Sequence, residues 1–391
     1  MPSRSPRRTF LEVMMFPQPA RCLISLLAVL LSATAPSVHA QQTAEQRLPK
    51  RVVGDYGYWS KYQDPPYSHA QIPYHKLTHI NHAGVSFNAD GSLSVPDGFI
   101  EPELNNRAHA AGVKVMLLLG GDFAGLESSG AIPALVENIA AFARQYHYDG
   151  VDIDWEYPET MQDRHFLVEL MNHLRRSNPD YTLSIDVAPW GGYGYDLKHL
   201  QLSLDYFNIM MYDCAGPWTA HGQLNSPIFW DHRNPAPEEC QPGGSAQETA
   251  DIFLKHVPAH QLNMGTPFYG YEYTNIHQLF GLCPNAAFTA DGACDDTVLT
   301  FNYGTDIKPL INRKGWYTSY DPRALVPYML RKDGADGYIT YDDVLSTYLR
   351  VWYSDWDRGL GGTFLWSLDE DYDGRSQDLL DAMYAATISR R

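Results

Sequence analysis

From residue 51 onward, short apolar runs alternate with segments in which apolar residues recur at every third or fourth position. The runs are Arg51–Tyr58, His79–Phe87, Lys114–Leu119, Gly150–Tyr157, Tyr181–Val187, Phe207–Tyr212, Leu262–Phe268 and Gly362–Ser367. Between them, Ile132–Tyr146 (IPALVENIAAFARQY) and Gln162–Arg176 (QDRHFLVELMNHLRR) carry the apolar stripe of amphipathic helices. Eight strands separated by helices predict an α/β fold with a parallel sheet, and eight in particular a closed (β/α)8 TIM barrel. An open doubly wound sheet is the competing fold, although it usually has fewer strands. Phe268 and Gly362 lie much farther apart than one helix requires. A small inserted α+β domain is therefore expected over residues 271–339, with the barrel formed by 41–270 and 340–391.

One run departs from the apolar rule. Tyr148–Pro158 reads YDGVDIDWEYP, four acids in a segment that otherwise looks buried. Side chains on a strand alternate between its two faces. Val151, Ile153 and Trp155 fall on one face, while Asp152, Asp154 and Glu156 fall on the other. In a barrel the apolar face meets the helices, so the three acids point inward and climb toward the strand's C-terminal end, where barrel enzymes keep their chemistry. Stacked carboxyls raise one another's pKa and share protons. Glu156, the uppermost, is expected to hold a proton near neutral pH and to donate it to a leaving group. Asp149 has the wrong parity, sits in an Asp-Gly turn, and is given a supporting role only. Three plainer readings compete: a calcium loop, a solvent-facing polar strand and a structural network. The first lacks the sharp glycine turn such loops need, and the second is opposed by the Val/Ile/Trp row.

The ends and the charge narrow the setting. Cys22–Leu31 (CLISLLAVLL) follows several arginines and precedes Val38-His39-Ala40, the pattern of a secretory signal peptide over residues 1–40. It is shorter than the ~20 apolar residues of a membrane span. Arg7-Arg8-Thr9-Phe10-Leu11 raises twin-arginine export as a second route. Secretion, extracellular or periplasmic, is expected. That leader carries four arginines and one glutamate, so its removal takes the net charge from −17 to −20. A chain this acidic does not neutralise phosphates, which argues against nucleic-acid partners, and no membrane association is expected. Cys214, Cys240, Cys283 and Cys294 remain, an even number that favours two disulfides in an exported protein. Nearest-neighbour pairing, Cys214–Cys240 and Cys283–Cys294, is expected from three possible connectivities.

The segment DGVDIDWE matches the D-x-x-D-x-D-x-E signature, and from about Arg51 to its C-terminus the chain resembles family 18 of the glycoside hydrolases, the chitinases. Supporting segments stand in the family's order: KLTHINHA at 76–83, MMYD at 210–213, GTPFYG at 265–270, YDD at 341–343 and GGTFLW at 361–366. The resemblance implies cleavage of β-1,4 linkages between N-acetylglucosamine units in chitin or its oligosaccharides, with retention and substrate assistance, no cofactor, no metal, and a monomer. Carried over by motif, Glu156 is the general acid/base. Asp154 holds the acetamido N–H of the sugar, Asp152 shares the proton of Asp154, and Tyr212 hydrogen-bonds the acetamido oxygen. Asp213 and Met210 line the same pocket and Trp366 forms its floor, whereas Met211 is read as core filler. Trp190, Trp218 and Trp230 are candidates for stacking on sugar faces. Tyr56 is the candidate aromatic ending the first strand.

Three features depart from the family pattern. Leu118 stands where a serine hydroxyl usually faces the buried acids. Tyr271 stands where an arginine is frequent. The loop from Cys214 to Cys240 is proline-rich and expected to shape the cleft. Two other functions use the same resemblance: an endo-β-N-acetylglucosaminidase acting on N-glycan cores, and a chitinase-like lectin that binds without cleaving. The inserted domain disfavours the first. Retention of Glu156 disfavours the second.

Overall fold

The computed structural model describes residues 49–389, apart from 193, 241, 285, 287–291, 295–296 and 314. The expected leader over residues 1–40 lies outside the described residues. The strands in chain order are β1 (Arg51–Gly57), β2 (His79–Phe87), the short β3 (Leu93–Ser94), β4 (Lys114–Gly120), β5 (Gly150–Asp154), β6 (Thr182–Val187), β7 (Tyr206–Ile209) and β8 (Leu262–Pro267). A second group follows, β9 (Tyr269–Tyr273), β10 (Val298–Asn302), β11 (Trp316–Asp321), β12 (Val326–Arg331) and β13 (Tyr338–Thr340), before β14 (Gly362–Trp366). The helices are α1 (Pro102–Ala110), α2 (Phe123–Ser129), α3 (Ile132–Tyr146), α4 (Met161–Ser177), α5 (Leu197–Leu200), α6 (Ala246–Phe253), α7 (Val344–Trp352) and α8 (Asp378–Ile388).

Strands β1, β2, β4, β5, β6, β7, β8 and β14 pair in parallel, and β1 bonds both β14 and β2, which closes the ring. The expected (β/α)8 barrel is therefore present, and α3 spans the predicted helix Ile132–Tyr146. The outward row of β5 explains its alternation. Val151 and Ile153 are buried, and Trp155 beyond them stacks on Phe123 of α2 at 4.9 Å and meets Phe166 of α4 edge-on at 6.0 Å. Burying side chains of this size stabilises by about 1.5–3 kcal/mol each. Helix α4 starts cleanly because Thr160 and Asp163 cap each other's backbone N–H groups.

Two strands are shorter than expected. Parallel pairing stops at Asp154 opposite Asp186 and at Ile209 opposite Val187. Residues 155–158 and 210–213 therefore belong to loops at the barrel mouth rather than to strands. The inserted sheet begins at Tyr269, one residue after β8, and has the antiparallel order β10-β9-β13-β12-β11. Its helical content among the described residues is a short turn over Tyr303–Leu310. Both expected disulfides are formed, Cys214–Cys240 and Cys283–Cys294.

Candidate active site

The barrel interior is polar where the acids stand. Asp152 is fully buried, Asp154 is partly buried, and Glu156 is exposed just beyond the strand end. The three thus rise from the dry core to open solvent. Asp152 accepts from the Asn81 amide of β2 at 3.0 Å and, more loosely, from Asn208 of β7 at 3.5 Å. Asn208 accepts in turn from Asn263 at 2.9 Å, and Asn263 accepts from Arg51 at 2.9 Å. This amide chain is how the sequence satisfies a carboxylate inside a barrel with no cation beside it. Asp154 hydrogen-bonds Glu156, while its Oδ1, sealed from solvent, has no protein partner. Burial, then the charges of Glu156 and Asp152, hold Asp154 well above the usual carboxylate range. Tyr157 donates to Glu156 from the following position.

A cavity of about 540 Å³ opens at this end of the barrel, lined by Glu156, Met210, Tyr212, Asp213, Trp190 and Trp218 among others. Met210–Asp213 reach it because β7 has already ended. Asp213 takes a left-handed backbone (φ 64°) and its amide donates to Asn225 at 2.9 Å. Its Oδ1 accepts hydroxyl hydrogen bonds from both Tyr269 and Tyr271, the latter at 2.8 Å. Burial raises the Asp213 carboxyl above its ordinary value, and the two tyrosines pull it partly back. The Tyr212 hydroxyl is pushed up by burial and stays a neutral donor. Trp218 is half exposed; its indole N–H donates to the Asp213 carbonyl at 3.3 Å and its ring meets Tyr271 edge-on at 5.9 Å. Trp190 meets Tyr157 edge-on at 5.1 Å.

The remaining candidates separate. Trp366, at the end of β14, is partly buried against the interior cluster that holds Met210 and Tyr212, and it does not line that cavity. Tyr56 is not at the site. It is fully buried on the outer face of β1, where it stacks on His82 and bonds Glu101. The neighbouring Asp55 takes the inward position, because parity on β1 runs through Val53 and Asp55. Trp230 lies behind the Cys214–Cys240 bridge, in a separate crevice with Cys214 and Gln223. Met211 is buried in the outer core and also borders the cavity. Asp149 accepts the Val115 amide at 2.7 Å and pairs with His109 at 2.8 Å, tying two strand starts together.

Sequence reasoning missed four side chains here: Asp55, Asp186, Tyr269 and Tyr271 as a partner of Asp213. Asp186 was readable, since TLSIDV in β6 alternates like the acidic strand, with Thr182, Ser184 and Asp186 inward and Leu183, Ile185 and Val187 outward.

The chain matches the sequence model of "Glycosyl hydrolases family 18" over residues 51–371. Chitinase A1 of Niallia circulans is 26% identical over 443 aligned residues, covering 91% of this chain and 62% of that protein, so the chain spans less than two thirds of this relative. Among solved structures, the Group IV chitinase of Ostrinia furnacalis with allosamidin superposes with a TM-score of 0.74 at 22% identity, covering 85% of this chain and 97% of that one. A catalytic domain of that organism's Group II chitinase, solved with a (NAG)5 oligosaccharide, gives 0.74 at 22% identity, covering 88% and 97%.

Proposed function

The chain belongs to glycosyl hydrolase family 18, and on that premise we propose that it is an exported chitinase, hydrolysing β-1,4 linkages between N-acetylglucosamine units. The observation that carries the reading is the row Asp152–Asp154–Glu156, which ends in a cavity whose opposite wall is Met210, Tyr212 and Asp213. Relatives named chitinases and neighbours solved with allosamidin and (NAG)5 support the substrate class. Two disulfides among the described residues, none of whose helices is long and apolar enough to cross a membrane, accord with export.

In this reading a sugar's 2-acetamido group lies between Asp154 and Tyr212. Glu156 gives its proton to the glycosidic oxygen as the C1–O bond breaks. The acetamido carbonyl oxygen attacks C1, forming an oxazolinium ion and keeping the nucleophile within the substrate. Asp154 accepts the acetamido N–H, and Tyr212 donates to the acetamido oxygen. Asp213, held by two tyrosine hydroxyls, stabilises the positive charge that develops nearby. Water, deprotonated by Glu156, then attacks C1 from the face the leaving group vacated, so configuration is retained. Trp218 and Trp190 offer flat apolar surface to sugar rings beyond the cleaved bond.

The test is product analysis on N-acetylglucosamine oligomers of increasing length with wild type and Glu156→Gln. Shortened products from the first, and turnover lowered by about 10²–10⁴-fold in the second with oligosaccharide binding kept, are expected. Unchanged turnover in Glu156→Gln overturns the assignment.

A further inference from the structure

Asp186 is among the buried acids that the reaction proposed above leaves unused. Asp186 comes from β6, directly opposite Asp154 in register, and is 3% exposed. It hydrogen-bonds Asp152, and its Oδ1 has no protein partner. Asp55 from β1 completes the group, with no exposure and neither oxygen in a regular hydrogen bond, although the Asn81 amide faces it. The other side chains turned toward these acids are neutral: Asn81 from β2, Leu118 from β4, Ser184 from β6, and Tyr206 and Asn208 from β7. Arg51 is reached only through Asn263 and Asn208. Among the described residues, no three acids, histidines or cysteines are disposed to hold a metal ion.

Four carboxyls in a dry interior without a cation cannot all carry charge, so some are neutral and donate. Asp152 collects the donors, from Asn81, Asn208 and Asp186, and is the anionic member. Leu118 sits beside Asp152 in the pairing of β4 with β5 and offers it nothing. Asp186 supplies a donor on the other side. Asp154 is thereby released from Asp152, and its hydrogen bond runs upward to Glu156.

We propose that Asp186 is a positioning residue: its carboxyl O–H satisfies Asp152, which leaves the Asp154 proton directed at Glu156. This rests on the assignment of Glu156 as acid/base. Asp186→Ala removes the donor, so Asp152 draws the Asp154 proton down. A buried acceptor left unmet costs enough to lower kcat about 10–100-fold, with KM on an N-acetylglucosamine tetramer within about twofold of wild type. Asp186→Asn keeps an N–H donor and recovers at least half of that loss on a logarithmic scale. Infrared spectra at neutral pH add a readout independent of turnover: the carbonyl band of buried protonated carboxyl weakens in Asp186→Asn. A folded Asp186→Ala with wild-type kcat overturns the proposal, as does equal impairment of the Ala and Asn variants. If Asp186→Ala does not fold, the infrared band in Asp186→Asn decides. Glu156→Gln run in parallel separates the two readings. Full turnover in that variant removes the acid/base assignment itself, whereas loss of turnover with a normal Asp186→Ala removes only the positioning role.

Discussion

Tyr271→Phe isolates one hydrogen bond at a carboxylate. The phenol of Tyr271 donates to Asp213 Oδ1 at 2.8 Å, and Tyr269 donates to the same oxygen. A hydrogen bond to a charged group contributes about 1.5–3 kcal/mol. Tyr269 remains in the variant and Asp213 is not fully enclosed, so the lower end applies, and kcat/KM falls about tenfold at the pH optimum. The sign of the pH effect follows from the same contact. The Tyr271 bond lowers the pKa of Asp213 and stabilises its anion. Without it Asp213 takes up a proton at higher pH, so the acid limb of the kcat/KM profile moves upward while the alkaline limb stays. Phenylalanine keeps the edge contact with Trp218, so the melting temperature changes little. The assay is steady-state hydrolysis of an N-acetylglucosamine tetramer across pH, with a thermal melt of each protein. A folded variant with a superimposable acid limb refutes the claim that Tyr271 tunes Asp213, and so does a limb moved the other way.

Stability itself is expected to decline with rising pH. Asp355 and Asp371 are raised to about 8 by burial, and Asp55, Asp186 and Asp154 also stand well above the carboxylate range. Each holds its proton more tightly folded than unfolded. The stability this gives is complete below about pH 4 and is lost as pH climbs through the folded-state values. Thermal melts between pH 5 and pH 9 (roughly the window of these raised values) should show a falling midpoint; a midpoint that rises across that window contradicts the burial argument. Replacing Cys214 and Cys240 together by serine opens a loop with sequence separation 26. It should cost about 3–4 kcal/mol and raise KM, since Cys214, Trp218 and Cys240 wall the cavity. Unaltered KM with a lowered melting temperature would confine the bridge to stability.

The barrel was legible because each strand alternates in a way only two environments explain. The Val151–Ile153–Trp155 face named its own helix contacts, and the Asp152–Asp154–Glu156 face could lead only inward. The limits of β5 and β7 were not legible, because apolar residues continue past the last ladder bond: Trp155 and Met211 are buried by packing rather than by pairing. Tyr56 was misjudged because Tyr and Asp adjoin in GDYG and parity alone does not say which faces inward. The structure buries both, the ring against the helices and the acid inside the barrel. Trp230 failed for another reason: proximity in sequence to Trp218 says nothing about which side of a disulfide a ring occupies. The tyrosine pair on Asp213 joins residues more than fifty positions apart, a relation no local pattern encodes.

The inserted sheet is carried on a short tether. Only Phe268 separates β8 from β9; it is fully buried and its backbone is bonded to Trp366 and Tyr303. The inserted sheet is thus spliced into the staves of the barrel, and its first strand delivers both tyrosines that grip Asp213. Exchanging that sheet with a relative's would not be a modular graft. It would re-set the chemistry, and chimaeras joined after Tyr273 should keep function where those joined at Phe268 lose it.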